Sequence, residues 1–317
     1  MKTKSILYSA MLLTSVLFCS CNSEEDFMPY SIDGATTELG RKIINDSGFI
    51  GHYFSDKSYS LANGVNVLEL DGLSSTGLAT KILLFEVNLN EANINIKVST
   101  ANNYTTTSYS GQPISGQAML HDTPEAKVLG AVNGDFFDTK TYTPRGILYK
   151  NGNCIKRSNS LNDNVCTFFA ITKDKKAVIG SYTDYSENKN NIKENIFEAI
   201  GGRVRLIKDG EILSQSNETL EPRTCIGVTE DNIVYIMEVD GRNFWHSNGM
   251  SYNQMASVMK SLEVKEAINL DGGGSSTFVV RNDENTENPF EVRNWPYDNG
   301  GVERAVTNGL LIVETNN

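Results

Sequence analysis

A chain of 317 residues with 28 Lys and Arg against 39 Asp and Glu carries a formal net charge of −11. That balance makes nucleic acid and anionic membrane surfaces poor partners, and the length suits one large domain or two small ones. Three scattered histidines (His52, His121, His246) and the lack of any Cys-x-x-Cys spacing argue against a zinc site built from Cys and His.

In chain order, Lys2 and Lys4 precede an apolar run over residues 6–18 that is too short to span a bilayer as a helix. The pattern predicts an export signal over residues 1–20. Phe18-Cys19-Ser20-Cys21 resembles a bacterial lipobox with Cys21 as the lipidated residue. The expectation is an exported lipoprotein of the Gram-negative outer membrane, touching the membrane through its lipid alone. The acidic stretch after Cys21 resembles the tethers of surface-exposed lipoproteins. Cys154, Cys166 and Cys225 remain; an exported compartment allows one disulfide, and the odd count leaves its pairing open.

Residues 21–61 read as a tether and an N-terminal edge segment with one short helix over 37–45, and residues 62–317 as the main domain. Strands are expected at 66–70, 81–87, 94–98, 127–132, 146–149, 166–171, 177–179, 204–208, 225–228, 233–239, 266–270, 277–281 and 306–313. Asn151-Gly152 and Asp209-Gly210 are hairpin signals. A helix over 192–200 is expected to end at a Gly201-Gly202 cap. The best-specified helix starts at Ser251, which pairs with Gln254 in a capping box, and repeats Met255, Val258, Met259 and Leu262 along one face. Many strands with a few packed helices predict an α+β fold of mixed or antiparallel sheets.

Asn269-Leu270-Asp271-Gly272-Gly273-Gly274-Ser275-Ser276-Thr277 is the most unusual stretch. Three glycines cost conformational entropy unless the backbone turns tightly or something approaches it closely. The run reads either as a turn between strands or as an anion cradle of bare N–H donors with Asp271 beside it. It is not a dinucleotide fingerprint, a phosphate-binding P-loop or an EF-hand, because a β-branched aromatic run follows, no Gly-Lys-Ser/Thr is present, and alternating oxygens are missing.

Other strands also end in polar groups: Asn133-Gly134-Asp135, Arg223-Thr224, Asp240-Gly241-Arg242 and Glu303-Arg304. Singly, Asn133-Gly134 and Asp240-Gly241 also read as ordinary turns and Glu303-Arg304 as a surface ion pair, while Arg223, between Pro222 and an apolar strand, needs a partner. Together they combine carboxylates with guanidiniums, a mixture suited to a phosphorylated sugar: Arg holds phosphate bidentately, and carboxylates do acid, base or nucleophilic work.

Taken in order, Asn133-Gly-Asp-Phe-Phe, Thr143-Pro-Arg-Gly, Gly201-Gly202, Pro222-Arg-Thr-Cys-Ile-Gly, Val239-Asp-Gly-Arg, the glycine run and Glu303-Arg304…Asn308 resemble the phosphodiester glycosidase family. Two departures stand out: Asp135 replaces a glycine, and Ala305 replaces a proline. The resemblance implies hydrolysis of a sugar-1-phosphodiester, of the α-GlcNAc-1-phosphodiester type, at the sugar C1–O bond. It implies Asp271, Asp240 or Glu303 as nucleophile, base or oxocarbenium stabiliser, and Arg223 with Arg242 or Arg304 as the phosphate clamp. Substrate contact extends to Asn133, Asp135, Thr224, Gly272, Gly273, Gly274, Ser275 and Asn308. A divalent cation among Asp240, Asp271 and Asn133 is compatible with the motifs and demanded by none. A non-catalytic glycan-binding lipoprotein and a phosphodiesterase acting at phosphorus are the competing readings.

Overall fold

The computed structural model describes residues 34–158 and 166–316; the export signal and Cys21 lie outside them. In chain order the elements begin with α1 (Glu38–Asp46), β1 (Ile50–Ala62), β2 (Val65–Ser74), β3 (Ala79–Asn88) and β4 (Ile94–Thr100). Then come α2 (Ile114–His121), β5 (Ala126–Asn133), β6 (Leu148–Lys150), β7 (Asn153–Lys156), β8 (Thr167–Thr172) and β9 (Ala177–Ser181). The short helices α3 (Tyr182–Ser186) and α4 (Ile192–Asn195) lead to β10 (Ile196–Gly202), β11 (Arg205–Lys208) and β12 (Glu211–Ile212). The chain closes with β13 (Arg223–Val228), β14 (Ile233–Val239), α5 (Tyr252–Ser261), β15 (Glu266–Gly272), β16 (Phe278–Arg281), β17 (Phe290–Val292) and β18 (Asn308–Thr315).

The strands form three sheets, ordered β1-β2-β3-β14-β13-β15-β11-β12, β7-β6-β10-β8-β9 and β17-β16-β5-β18-β4. The pairings within them are antiparallel, so the fold is α+β and strand-rich. One core joins all three: Val67, Phe85 and Ile236 from the first sheet, Phe169 from the second, and Phe278 and Leu310 from the third are buried together. Phe85 stacks on Phe278 across the gap with centroids 4.0 Å apart. The opposite face of the large sheet, through Leu68, Leu84 and Met237, packs on Ile43 of α1 and Met255 and Met259 of α5. With both faces covered, β3 carries a continuous apolar run over Ile82–Phe85, and its successive residues serve different cores.

Local signals account for the element ends. Thr37 caps α1 by accepting from the Gly40 N–H, and Ser251 and Gln254 make the reciprocal capping box of α5. Asn151-Gly152 and Asp209-Gly210 take positive φ at both residues (50°, 77° and 53°, 79°) and turn the β6–β7 and β11–β12 hairpins. The helix expected over 192–200 is a correction: only Ile192–Asn195 is helical, and Ile196–Gly202 is strand β10 between β6 and β8. Strand partners on both sides override the helical spacing there, and Gly201 serves a close approach described below instead of a cap. Cys154, Cys166 and Cys225 are thiols, with no disulfide among them.

The antiparallel register collects the polar strand ends. Arg223 pairs with Gly272 on one side and Val239 on the other, and Gly309 pairs with Asn133. The end of β5, the start of β13, the ends of β14 and β15 and the start of β18 thus approach one another where the first and third sheets meet.

Candidate active site

The glycine run forms a turn whose composition is set by close approach. Gly273 has φ +60°, and a Cβ on Gly272 would stand 2.6 Å from the Pro222 carbonyl oxygen. A Cβ on Gly274 would stand 2.3 Å from both Arg304 Nη2 and Asp298 Oδ2. The N–H groups of Gly272 and Gly273 point inward, to Asp271 Oδ1 (2.9 Å) and Pro222 O (2.8 Å). These two donors therefore hold the turn together instead of facing a ligand. Gly272 makes room for the Pro222 carbonyl, and Gly273 and Gly274 let the guanidiniums of Arg242 and Arg304 lie directly against the backbone.

Those guanidiniums are fixed by a carboxylate the motifs did not single out. Asp298 accepts from Arg242 Nη1 (2.7 Å) and from Arg304 Nη2 (3.0 Å), bridging the two. Arg242 also donates through Nε to Glu221 (2.6 Å), and Arg304 reaches the Ser275 hydroxyl at 3.4 Å. Arg242 adopts φ +61°, a conformation rare for a bulky residue, and the two carboxylates hold it there. Arg223 is buried, donates to the carbonyls of Met250 (2.7 Å) and Thr219 (3.0 Å), and stacks 3.9 Å above the Tyr252 ring.

Arg223, Arg242, Asp271, Gly272 and Gly273 line one pocket of about 390 Å³, with Phe136 and Tyr252 as aromatic walls. Cavities of about 630 and 620 Å³ lie around Lys260 and around Cys154, but neither sets a carboxylate against two guanidiniums. Asp271 is half-buried. Desolvation pushes its carboxyl up to about 6, against the pull of the Ser275 hydroxyl, the Gly272 N–H and the Arg304 charge.

Behind this pocket lies a rigid polar layer. Asn133 donates to the Asp271 carbonyl (2.8 Å), and its Oδ1 accepts from Thr224 Oγ1 (2.7 Å) and the Thr277 N–H (3.0 Å). Asn308 Oδ1 accepts the Asp135 N–H at 2.8 Å. These groups position β15 and the turn, which explains why an Asn and a Thr stand at strand ends that would otherwise be apolar.

Asp135 is only 2% exposed. Its Oδ2 accepts the Gly146 N–H at 2.6 Å, while Oδ1 is buried with no hydrogen-bond partner among the described residues. Gly146 and Gly201 make room for it: a Cβ on Gly201 would lie 2.5 Å from the Gly146 Cα and 2.7 Å from Asp135 Oδ2. Burial pushes the Asp135 carboxyl up to about 7; the Gly146 N–H and Lys156 oppose that, and the charge of Asp271 adds to it. The folded state thus retains a proton that the unfolded chain releases near 3.8. A raised acid makes stability fall as pH climbs between those values. Asp135→Asn, which mimics the protonated acid, should flatten that decline and stabilise the protein by a few kcal/mol at about pH 7.5 relative to the parent. Urea melts of both proteins at about pH 4 and about pH 7.5 check this; parallel pH dependences would show that Asp135 holds no such proton.

Asp240 is buried too. It accepts the Trp295 N–H (2.9 Å) and Asn294 Nδ2 (3.3 Å), and His246 Nε2 lies 2.9 Å from Oδ2. Two residues earlier Glu238 is fully buried, and desolvation with the charge of Asp240 raises its carboxyl well above the usual range. Glu303 accepts both the N–H (3.0 Å) and the hydroxyl of Ser115, at the first turn of α2, where a carboxylate suits the helix dipole. Of the three carboxylates that the resemblance implies as catalytic, Asp271 alone lines the arginine pocket. No group of three His, Cys, Asp or Glu side chains is arranged for a metal ion among the described residues, and the polar atoms of Asn133 and Asp240 are turned to protein partners.

Asp298 belongs to no motif that sequence reasoning picks out, and Glu221 and Glu238 stand beside strand-end motifs without being given a role by them. Asp298 precedes Asn-Gly-Gly and looks like an ordinary turn residue; Glu238 carries a usable signal, a carboxylate inside the apolar run Ile236-Met237-Glu238-Val239.

Comparison with known proteins gives the chain a family. It belongs to the phosphodiester glycosidase family, whose sequence pattern matches residues 126–313 and so includes every site residue named above. The mouse N-acetylglucosamine-1-phosphodiester α-N-acetylglucosaminidase is 27% identical over 168 residues, 47% of this chain and 31% of that protein. The human counterpart is 29% identical over 169 residues, with the same coverage. The chain therefore spans about a third of the length of these relatives. The zebrafish N-acetylglucosamine-1-phosphodiester α-N-acetylglucosaminidase catalytic domain, auto-inhibited by its pro-peptide, superposes with a TM-score of 0.59 at 22% identity, covering 83% of this chain and 88% of that one.

Proposed function

We propose that this chain hydrolyses a sugar-1-phosphodiester at the sugar C1–O bond, releasing the sugar and a phosphomonoester. The observation that carries the reading is the pocket in which the Asp271 carboxylate stands with the guanidiniums of Arg223 and Arg242. The guanidiniums take the phosphodiester, and Asp271 faces the anomeric carbon as nucleophile or oxocarbenium stabiliser. A phosphate monoester is a good leaving group, so the second carboxylic acid that ordinary glycosidases need is dispensable here. Arg304 acts one step back, holding Asp298 and through it Arg242.

N-acetylglucosamine in α linkage is the sugar we propose, because it is the one in the names of the mouse and human relatives. Methyl α-GlcNAc-1-phosphodiester incubated with the protein should yield free N-acetylglucosamine and methyl phosphate, whereas p-nitrophenyl α-GlcNAc, which lacks the phosphate, should be cleaved far more slowly. No hydrolysis of the phosphodiester, or equal rates on the two, would refute the reading.

We further propose that the enzyme works outside the cytoplasm as an outer-membrane lipoprotein, on the strength of the signal pattern ending at Cys21. Labelled palmitate should be incorporated into the parent protein during growth in a Gram-negative host and not into Cys21→Ser; equal labelling of both would contradict it.

A further inference from the structure

The chain has two tryptophans, and both are exposed beside the site: Trp245 at 87% and Trp295 at 49%. Phe244 (62%) stands edge-to-face with Trp245 at 4.9 Å, and Tyr297 is 45% exposed. Elsewhere along the chain, large exposed apolar side chains come singly or as adjacent pairs. Aromatic surface this large, left to water in two separate segments, marks an interaction site.

The two segments are anchored to the same groups. Asp240 accepts the Trp295 N–H and contacts His246, the neighbour of Trp245. Asp298, next to Tyr297, bridges Arg242 and Arg304, and Arg242 also lines the arginine pocket. The Trp295 ring rests on Gly301, where a Cβ would come within 2.9 Å of it. Trp295 is thus held by its N–H and its ring, and both segments are tied to Asp240, so stacking on Trp295 costs little ordering.

Charge selects the occupant. The basic side chains in residues 240–250 and 294–304 are Arg242 and Arg304, both paired with Asp298, besides His246 against Asp240. An anionic lipid surface would require free Lys or Arg at the rim. A neutral pyranose instead offers an apolar C–H face to a Trp ring and needs no charged partner. We infer that Trp245, Phe244 and Trp295 form a second carbohydrate subsite, which stacks a neutral sugar ring of the glycan carrying the phosphodiester. This assignment rests on the phosphodiester reading for its place in the substrate.

Its test needs no turnover. The full chain is titrated with chitotriose, maltotriose and α-1,6-mannotriose while tryptophan emission is followed, since both reporters lie in the subsite. At least one trisaccharide should give a saturable change. Its half-saturation should rise about tenfold or more in Trp245→Ala, with Trp295 left as reporter, and recover in Trp245→Phe. No saturable change with any of the three, or a Trp245→Ala titration like the parent's, would overturn the subsite. So would a shift with phosphatidylglycerol vesicles that Trp245→Ala removes, which would assign the surface to lipid. Because the readout is binding, an inactive enzyme that still passes this titration would refute the hydrolytic reading alone.

Discussion

Asp271→Asn is expected to lower kcat/KM on methyl α-GlcNAc-1-phosphodiester about a hundredfold or more, with the fold intact. Asn keeps the volume and the oxygen that accepts the Gly272 N–H. What it removes is the negative charge of the one carboxylate in the pocket that no guanidinium hydrogen-bonds, since Glu221 is taken up by Arg242, so the loss falls on the step that builds positive charge at the anomeric carbon. The pH profile separates this role from a structural one. The Asp271 carboxyl is pushed up to about 6 by burial, and a nucleophile or stabiliser must be ionised. Activity of the parent should therefore rise with pH through about 6 on the acid side, and the residual activity of the variant should lack that limb. Steady-state kinetics across that range check both, and an unchanged acid limb in the variant would assign it to another group.

Gly274→Ala is expected to lower kcat/KM by about ten- to a hundredfold, chiefly through a higher KM, for a purely steric reason. The new methyl would collide with Arg304 Nη2 and Asp298 Oδ2 at 2.3 Å. Neither atom can stay; both are ends of flexible side chains and must shift, which disturbs the Asp298 bridge that helps hold Arg242 in its left-handed backbone conformation. The stability cost should be small, about 1 kcal/mol, because the displaced atoms are the ends of flexible side chains and not core. Gly77→Ala is the control: its φ of +80° makes it strained, but a Cβ there meets nothing within 4 Å. It should lose about 1 kcal/mol and leave the kinetics unchanged. Kinetics and urea melts on the two variants decide; equal activities would mean that the bridge over the glycines does not support substrate binding.

The features legible in the sequence are those written in neighbouring residues. The Ser251–Gln254 box needs only its own local spacing, and the Asn151-Gly152 and Asp209-Gly210 hairpins need only adjacent residues with positive φ. The glycine run stands out as unusual in the sequence, yet its cause lies across space, in guanidiniums delivered from Arg242 and Arg304. Whether bare N–H groups face a ligand depends on Pro222, far upstream, whose carbonyl takes the Gly273 N–H. The 196–202 stretch is strand and not helix because β6 and β8 stand on either side of it. Glu303 and Asp271 look alike as carboxylates near strand ends; only the packing of α2 separates a residue that caps Ser115 from one that lines a pocket. Asp135 likewise needs Gly146 and Gly201 in place before its burial can be read.

The most direct test of C1–O cleavage is where water's oxygen ends up. Hydrolysis of methyl α-GlcNAc-1-phosphodiester in ¹⁸O-water, followed by mass spectrometry of both products, should place the label on C1 of the released N-acetylglucosamine and none in the methyl phosphate. Label in the phosphate product would mean attack at phosphorus, and would contradict the action of Asp271 at the anomeric carbon beside its two guanidiniums.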